Sequence, residues 1–233
     1  MSYLGVIQAR KSCQIYGHVL RPVGDPAMPA EGRLESPRVD AIAGVQCLAL
    51  PDGLVLVARA IAPGDSRALQ RLYGRLSPRT VYFRFLAVVP VLTDERARSF
   101  ADADGVDRVA LVVQDPVQPA ELIAVARYHR DAERAARAEF AVVVEDRWQS
   151  RRIGSLLLQR LIDGARDGGV DQLYGSAAAE NGRILHVLRR LGLPLRVTRD
   201  GYLTHVDIHL AAAAQAVHRP TGVSAMCADR GRP

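Results

Sequence analysis

One stretch constrains this chain more than any other: Ala138 to Leu158, AEFAVVVEDRWQSRRIGSLLL, where an apolar run breaks into a polar turn that opens an amphipathic helix. Phe140, Ala141, Val142, Val143 and Val144 are apolar without alternation, the pattern of a strand buried on both faces, and Glu145, Asp146 and Arg147 end it. From Ile153 the apolar residues recur at Leu156, Leu157, Leu161 and Ala165, one face of a helix that begins near Arg151. The first turn of such a helix has backbone N–H groups without intrahelical partners and the positive end of the helix dipole. The run Gln149, Ser150, Arg151, Arg152, Ile153, Gly154 and Ser155 can therefore seat a pyrophosphate. A plain strand-loop-helix connection that binds nothing has the same outline.

At 233 residues with 48% hydrophobic side chains, the chain can fill one domain with an appendage to spare. No apolar run reaches the roughly 18 to 20 residues that cross a bilayer, and the N-terminus lacks a charged-then-apolar leader pattern, so a cytoplasmic location is expected. Cys13, Cys47 and Cys227 are too scattered for a disulfide framework or a metal site, and no metal is expected. His205 and His209 are spaced i, i+4 but on an alternating strand pattern, which reads as strand histidines rather than ligands. The net charge of +6 is spread evenly, and Lys11 is the only lysine among 31 basic residues; that argues against a nucleic-acid surface and is met by a local anionic ligand.

Residues 1 to 52 are rich in Pro and Gly and read as an extension or linker, within which Val45 to Leu50 is apolar enough to pack on the domain. Residues 53 to 212 then give a strand at Leu54 to Ile61, a helix capped by Asp65 and stopped at Ser77-Pro78, and a short helix from Thr93 to Ala101. Strands Val109 to Val113 and Leu122 to Tyr128 flank a Pro-containing turn and precede the central strand. Gly168-Gly169 ends the long helix, and a strand follows at Gln172 to Ala177. A helix after Asn181-Gly182 carries Ile184, Leu185, Leu188 and Leu191, and two strands, Leu195 to Thr198 and Tyr202 to Leu210, join through Arg199-Asp200-Gly201. Residues 213 to 233 read as a disordered tail.

Three motifs in this order carry a resemblance. Gln149-Ser150-Arg151-Arg152-Ile153-Gly154 resembles the Q/R-x-x-G-x-G/A acyl-CoA loop of the GNAT superfamily of N-acetyltransferases, with Arg152 in place of the first Gly. LSPRTVYFRFL and ENGRILHVLRRLGL resemble segments of bacterial Pat-type protein lysine acetyltransferases, with Leu193 where an aromatic is usual. The resemblance covers about two-thirds of the chain and implies an α/β GNAT fold: a mixed, mostly antiparallel twisted sheet of roughly six to seven strands, about four helices on both faces, and strands splayed at the acyl-CoA cleft.

It also implies acetyl-CoA as cosubstrate and transfer to an amine, either a protein lysine or a small molecule; an idle acyl-CoA-binding module is a third reading. An ammonium of pKa ~10.4 needs a base at neutral pH, and Glu139, at the head of the central strand, matches the position of the Pat-type catalytic glutamate. Backbone groups of Val142, Val143 and Val144 can pair with the pantetheine amides and polarise the thioester. Asn181 reads equally as a cofactor contact and as a helix N-cap. Tyr82, Phe83 and Phe85 fall where aromatics line an acceptor groove, or form an ordinary core cluster. The Tyr that protonates the leaving thiolate in many GNAT enzymes is Leu188 in this chain.

Overall fold

The computed structural model describes residues 44–210, so the expected disorder of the N-terminal extension and of the tail falls largely outside the described residues. Eight strands form one open sheet in the order β1-β2-β3-β4-β5-β6-β8-β7. They are β1 (Gln46–Ala49), β2 (Val55–Ala60), β3 (Arg108–Gln114), β4 (Leu122–Arg130), β5 (Arg137–Val144), β6 (Gln172–Ala178), β7 (Leu195–Asp200) and β8 (Leu203–His209). Every neighbouring pair is antiparallel except β5 and β6. Among the described residues five α-helices accompany the sheet: α1 (Ser66–Gly74), α2 (Pro78–Phe85), α3 (Asp94–Ala101), α4 (Ile153–Asp167) and α5 (Gly182–Arg190).

Two elements exceed the sequence expectation. The strand β1 lies within the stretch read as a linker: only four residues long, it is too short to show a period, yet its pairing with β2 buries Leu48 beside Leu56. The helix α2 begins where the sequence marks a stop, because Ser77-Pro78 serves both ends. The proline ends the preceding helix and then occupies the first turn of the next, while Ser77 Oγ accepts from Thr80 N as the N-cap. Thr93 caps α3 in the same way, as its sequence predicts.

The sheet is covered on both faces. On one, α4 and α5 pack Ile153, Leu157, Leu158, Leu161, Ile184 and Leu188 against Phe140, Val142 and Val144. On the other, α1, α2 and α3 pack Leu69, Leu72, Phe85 and Ala97 against Val125, Ala141 and Val143. This double burial is why the central strand shows no alternation; each fully buried large side chain contributes roughly 1.5–3 kcal/mol. The second cluster includes no residue of β6, β7 or β8, so among the described residues α1–α3 do not cover that end of the sheet.

Candidate functional site

The site is set by the parallel pair in an otherwise antiparallel sheet. β5 and β6 pair only from Arg137–Gln172 to Glu139–Tyr174; beyond that β5 follows β4 through Val144 while β6 follows β8. The two central strands thus part into a wedge. Glu145 N donates to Ile123 O on the β4 side, and alternation along the ladder turns Val143 the same way, so Val142 and Val144 present their backbone groups to the wedge. Of the three valines read from the sequence, Val143 is committed to β4. Val144 O already accepts from Gln149 Nε2 at 3.0 Å.

The loop after β5 is fixed from below. The Asp146 carboxylate accepts from Ser77 N at 2.9 Å and from the Ser77 and Thr80 hydroxyls at 2.8 Å each. Glu145, buried, pairs with Arg75 and Arg147. Those contacts give the Ser-Pro-Arg-Thr segment its role: it anchors the loop. The helix α4 starts two residues later than its sequence reading, and its first intrahelical bond runs from Leu156 N to Arg152 O, leaving the N–H groups of Ile153, Gly154 and Ser155 directed out of the helix end. Ser150 and Arg152 adopt left-handed φ values of 69° and 67°, so Arg152 takes the backbone shape of the glycine it replaces.

In front of this helix end lies a cleft of about 330 Å³, walled on the far side by α5. Its charged lining is basic: Arg152 from the loop, with Arg183 and Arg190 from α5. Arg183 Nη2 donates to Ser150 Oγ at 2.8 Å, and burial lowers the pKa of its guanidinium. Arg151 is turned away from the cleft, in an ion pair of 2.5 Å with Asp52 and over the Trp148 ring at 4.9 Å. Asn181, at the N-cap position of α5, makes no capping bond; it is 2% exposed, and both its amide atoms lack hydrogen-bond partners. Trp148 Nε1 and Arg183 Nη1 are likewise buried and unpaired. Buried polar groups without partners are rare; Trp148 and Arg183, which line the basic cleft, carry two of these atoms, and a ligand with phosphates at one end and amides along its length fits such a lining.

Glu139 lies at the apex of the wedge, on the face away from α4. It is half-buried, with Arg127 on β4 and Tyr174 on β6 as charged and polar neighbours. Burial pulls the Arg127 guanidinium down to about 10 against the opposing carboxylate of Glu139. Burial raises the Tyr174 phenol, helped by its hydrogen bond to Asp131 at 2.5 Å, so Tyr174 is protonated at neutral pH. Among the sequence-read aromatics, Phe85 lines a narrow cavity with Phe100 and Arg127, whereas Phe83 is buried and neither it nor Tyr82 is in those walls. Leu188 is buried in the core.

Sequence reasoning missed the basic side of the cleft. Arg183, His186 and Arg190 are spaced i, i+3, i+7 along α5, a polar stripe opposite the apolar positions that defined the helix. Among the described residues no group of three His, Cys, Asp or Glu side chains is placed to hold a metal, and no helix is long and apolar enough to cross a membrane.

The sequence model of the acetyltransferase (GNAT) family matches residues 79–193. An acetyltransferase of Pseudomonas aeruginosa is 31% identical over 137 residues, covering 57% of this chain and 71% of that protein. The acetyltransferase Pat of Mycolicibacterium smegmatis is 29% identical over 151 residues, 64% of this chain but 45% of Pat, so this chain matches less than half of that relative. Among solved structures, the GNAT domain of Streptomyces lividans PAT superposes with a TM-score of 0.65 at 27% identity, covering 71% of this chain and 96% of that domain. A Salmonella typhimurium protein solved with its cofactor acetyl-CoA shares the fold, with a TM-score of 0.54 at 20% identity, 68% of this chain and 96% of that one.

Proposed function

The chain belongs to the acetyltransferase (GNAT) family, and on that premise we propose that it transfers the acetyl group of acetyl-CoA to the amine of a protein lysine, with Glu139 as general base. The observation that carries the reading is the placement of Glu139 where β5 and β6 part, with the basic cleft on the other side of the same wedge. Pyrophosphate would be held by the N–H groups of Ile153, Gly154 and Ser155 with Arg152 and Arg183. The pantetheine amides would meet the edge of β5 at Val142 and Val144, and Asn181 would gain the partners it lacks.

The chemistry follows from that placement. The acceptor arrives as an ammonium and must lose its proton before nitrogen can attack the thioester carbon. Glu139, reached from the face of the sheet away from α4, accepts a proton directly or through one water, with the Arg127 guanidinium as its charged neighbour. The N–H groups on the wedge edge stabilise the oxygen that becomes negative during attack. Thiolate leaves without a side-chain acid at Leu188, and a thiolate needs little protonation to depart. The resemblance of LSPRTVYFRFL and ENGRILHVLRRLGL to segments of Pat-type protein lysine acetyltransferases supports a protein acceptor, and dependence on acetyl-CoA makes the cytoplasm the proposed compartment.

The test is turnover of acetyl-CoA by the full chain against lysine-containing peptides and proteins beside a panel of small amines, read as thiol release and as mass gain on the acceptor. Acetylated lysine at rates above every small amine supports the reading; acetylation of small amines alone overturns the lysine assignment.

A further inference from the structure

On the face that carries Glu139, the β6–β8 end of the sheet holds polar side chains that the mechanism above does not use. Glu139 and Tyr174 are register partners, Tyr174 pairs with Asp207, and Ser176 pairs with His205, so all five side chains share the face of the sheet that carries the proposed base. Over β6 and β8 on this face opens a pocket of about 490 Å³, with Tyr174, Ser176 and His205 in its wall. Ser176 lies two residues past Tyr174, after β6 has left β5, and therefore stands on the wall of the wedge, roughly 7 Å along the strand from the register of Glu139.

Three groups line up from this point outward. Ser176 Oγ is 2.7 Å from His205 Nδ1, and His205 Nε2 is 3.9 Å from Asp200 Oδ2. Exposure rises along the line: Ser176 is 3% exposed, the His205 side chain 33% and the Asp200 side chain 60%. Asp200 reaches the imidazole because the hairpin turn falls at Gly201 and Tyr202, later than its sequence reading, which leaves Asp200 as the last residue of β7. In the tautomer that carries its proton on Nε2, toward Asp200, Nδ1 accepts from the Ser176 hydroxyl.

Of the other charges around the imidazole, Arg137, Asp131 and Asp207 are engaged with one another. Arg137 pairs with Asp131 at 3.1 Å and reaches Asp207 at 3.8 Å, and it covers the Tyr174 ring at 3.7 Å. Arg196 faces the same side from β7 as the register partner of Asp207, and Glu133 stands at the pocket mouth. Asp200 is the carboxylate that meets His205.

Amide formation from an ammonium removes two protons from nitrogen, of which one ends on the thiol sulfur and one in solvent. We propose that Ser176, His205 and Asp200 form a proton relay that takes the first proton from the acceptor ammonium, leaving Glu139 to take the second as the carbon–nitrogen bond forms. In the relay step the ammonium N–H bond breaks and its proton goes to Ser176 Oγ, while the Ser176 hydroxyl proton passes to Nδ1. The Nε2 proton leaves to Asp200 and water. No electron changes hands and nothing else is consumed. The relay rests on the reading that this site acetylates an amine with Glu139 as base.

The experiment measures kcat at saturating acceptor from acid to neutral pH for the parent, His205→Asn and Asp200→Asn, with melting temperature and acetyl-CoA affinity alongside. Asparagine keeps an oxygen to accept from Ser176, so the cross-strand pair survives while proton transfer through the ring is lost. Parental log kcat should climb with a limiting slope of two, His205→Asn should climb with a slope of one and lose about 10- to 100-fold in its plateau, within the range of proton-transfer catalysis, and both variants should keep the parental KM and melting temperature. A His205→Asn protein with parental slope and plateau overturns the relay while leaving the acetyltransferase reading intact. A parent that acetylates no amine overturns both.

Discussion

Arg152→Gly separates the two things Arg152 does. A non-glycine residue at φ 67° carries a cost of about 1–2 kcal/mol relative to the right-handed region. Glycine relieves that strain but loses about 0.4–1 kcal/mol to the greater freedom of the unfolded chain, so the net gain in stability is about 0.5–1 kcal/mol. For a domain of this size each kcal/mol moves the melting temperature by about 2–4 °C, and the ligand-free variant should melt about 1–4 °C higher. The same change removes a cation from the cleft lining. An exposed charge beside a helix N-terminal phosphate contributes about 0.3–1 kcal/mol, so acetyl-CoA should bind about two- to fivefold more weakly by calorimetry, with the deficit shrinking at high salt. Arg151→Ala serves as the comparison, because Arg151 is held by Asp52 outside the cleft, and its affinity loss should be smaller. A lower melting temperature for Arg152→Gly would refute the strain argument, and tighter binding would refute the placement of phosphate at this loop.

Gly154→Glu puts a carboxylate at the helix end and should abolish acetyl-CoA binding by calorimetry while circular dichroism stays parental; retained affinity would move the phosphate seat elsewhere. Asn181→Ala removes two buried atoms that have no partners in the ligand-free protein, so its melting temperature should hold or rise while acetyl-CoA affinity falls about tenfold, the value of a hydrogen-bonded group in the complex. At Asp104, burial raises the carboxyl, but the N–H groups of Arg108 and Val106 and the Arg108 side chain outweigh it and bring its pKa to about 2 from 3.8. That stabilisation is present above the unfolded pKa and fades as pH falls from about 4 toward 2, and with the side chain partly exposed it is worth about 1 kcal/mol. Asp104→Ala should therefore be less stable than the parent at pH 6 and lose that difference near pH 2 in acid melts.

The two strands of the wedge were legible because both advertise themselves, a five-residue apolar run before a polar turn and a second strand set off by glycines at one end and Glu-Asn-Gly at the other, whereas their splaying was implied only by the family resemblance. Pattern alone also gave the helix whose first-turn N–H groups are the proposed phosphate seat. What the sequence hid are features that depend on register or on two roles for one residue. Ser77-Pro78 reads as a helix stop, and only the Asp146 contacts show why a second helix must begin there. Pairing of Ser176 with His205, 29 positions apart, exists only because β6 and β8 align with no shift, and no local pattern announces it. Asn181 had two equal readings in the sequence; the structure shows it without a capping bond and with its amide unpaired. The departure at Arg152 was visible as a letter, while its backbone conformation was not.

The central claim is that Glu139 is the base of an acetyl transfer, and the most direct measurement is the turnover of Glu139→Gln beside the parent at pH 7, with acetyl-CoA affinity measured on both. Glutamine keeps the shape of the side chain at the apex of the wedge and removes its capacity to take a proton. The account predicts a fall in kcat of about 10²- to 10⁴-fold with cofactor affinity little changed, the signature of a group that acts in the transition state rather than in binding. Near-parental turnover in a variant that binds acetyl-CoA normally would contradict it.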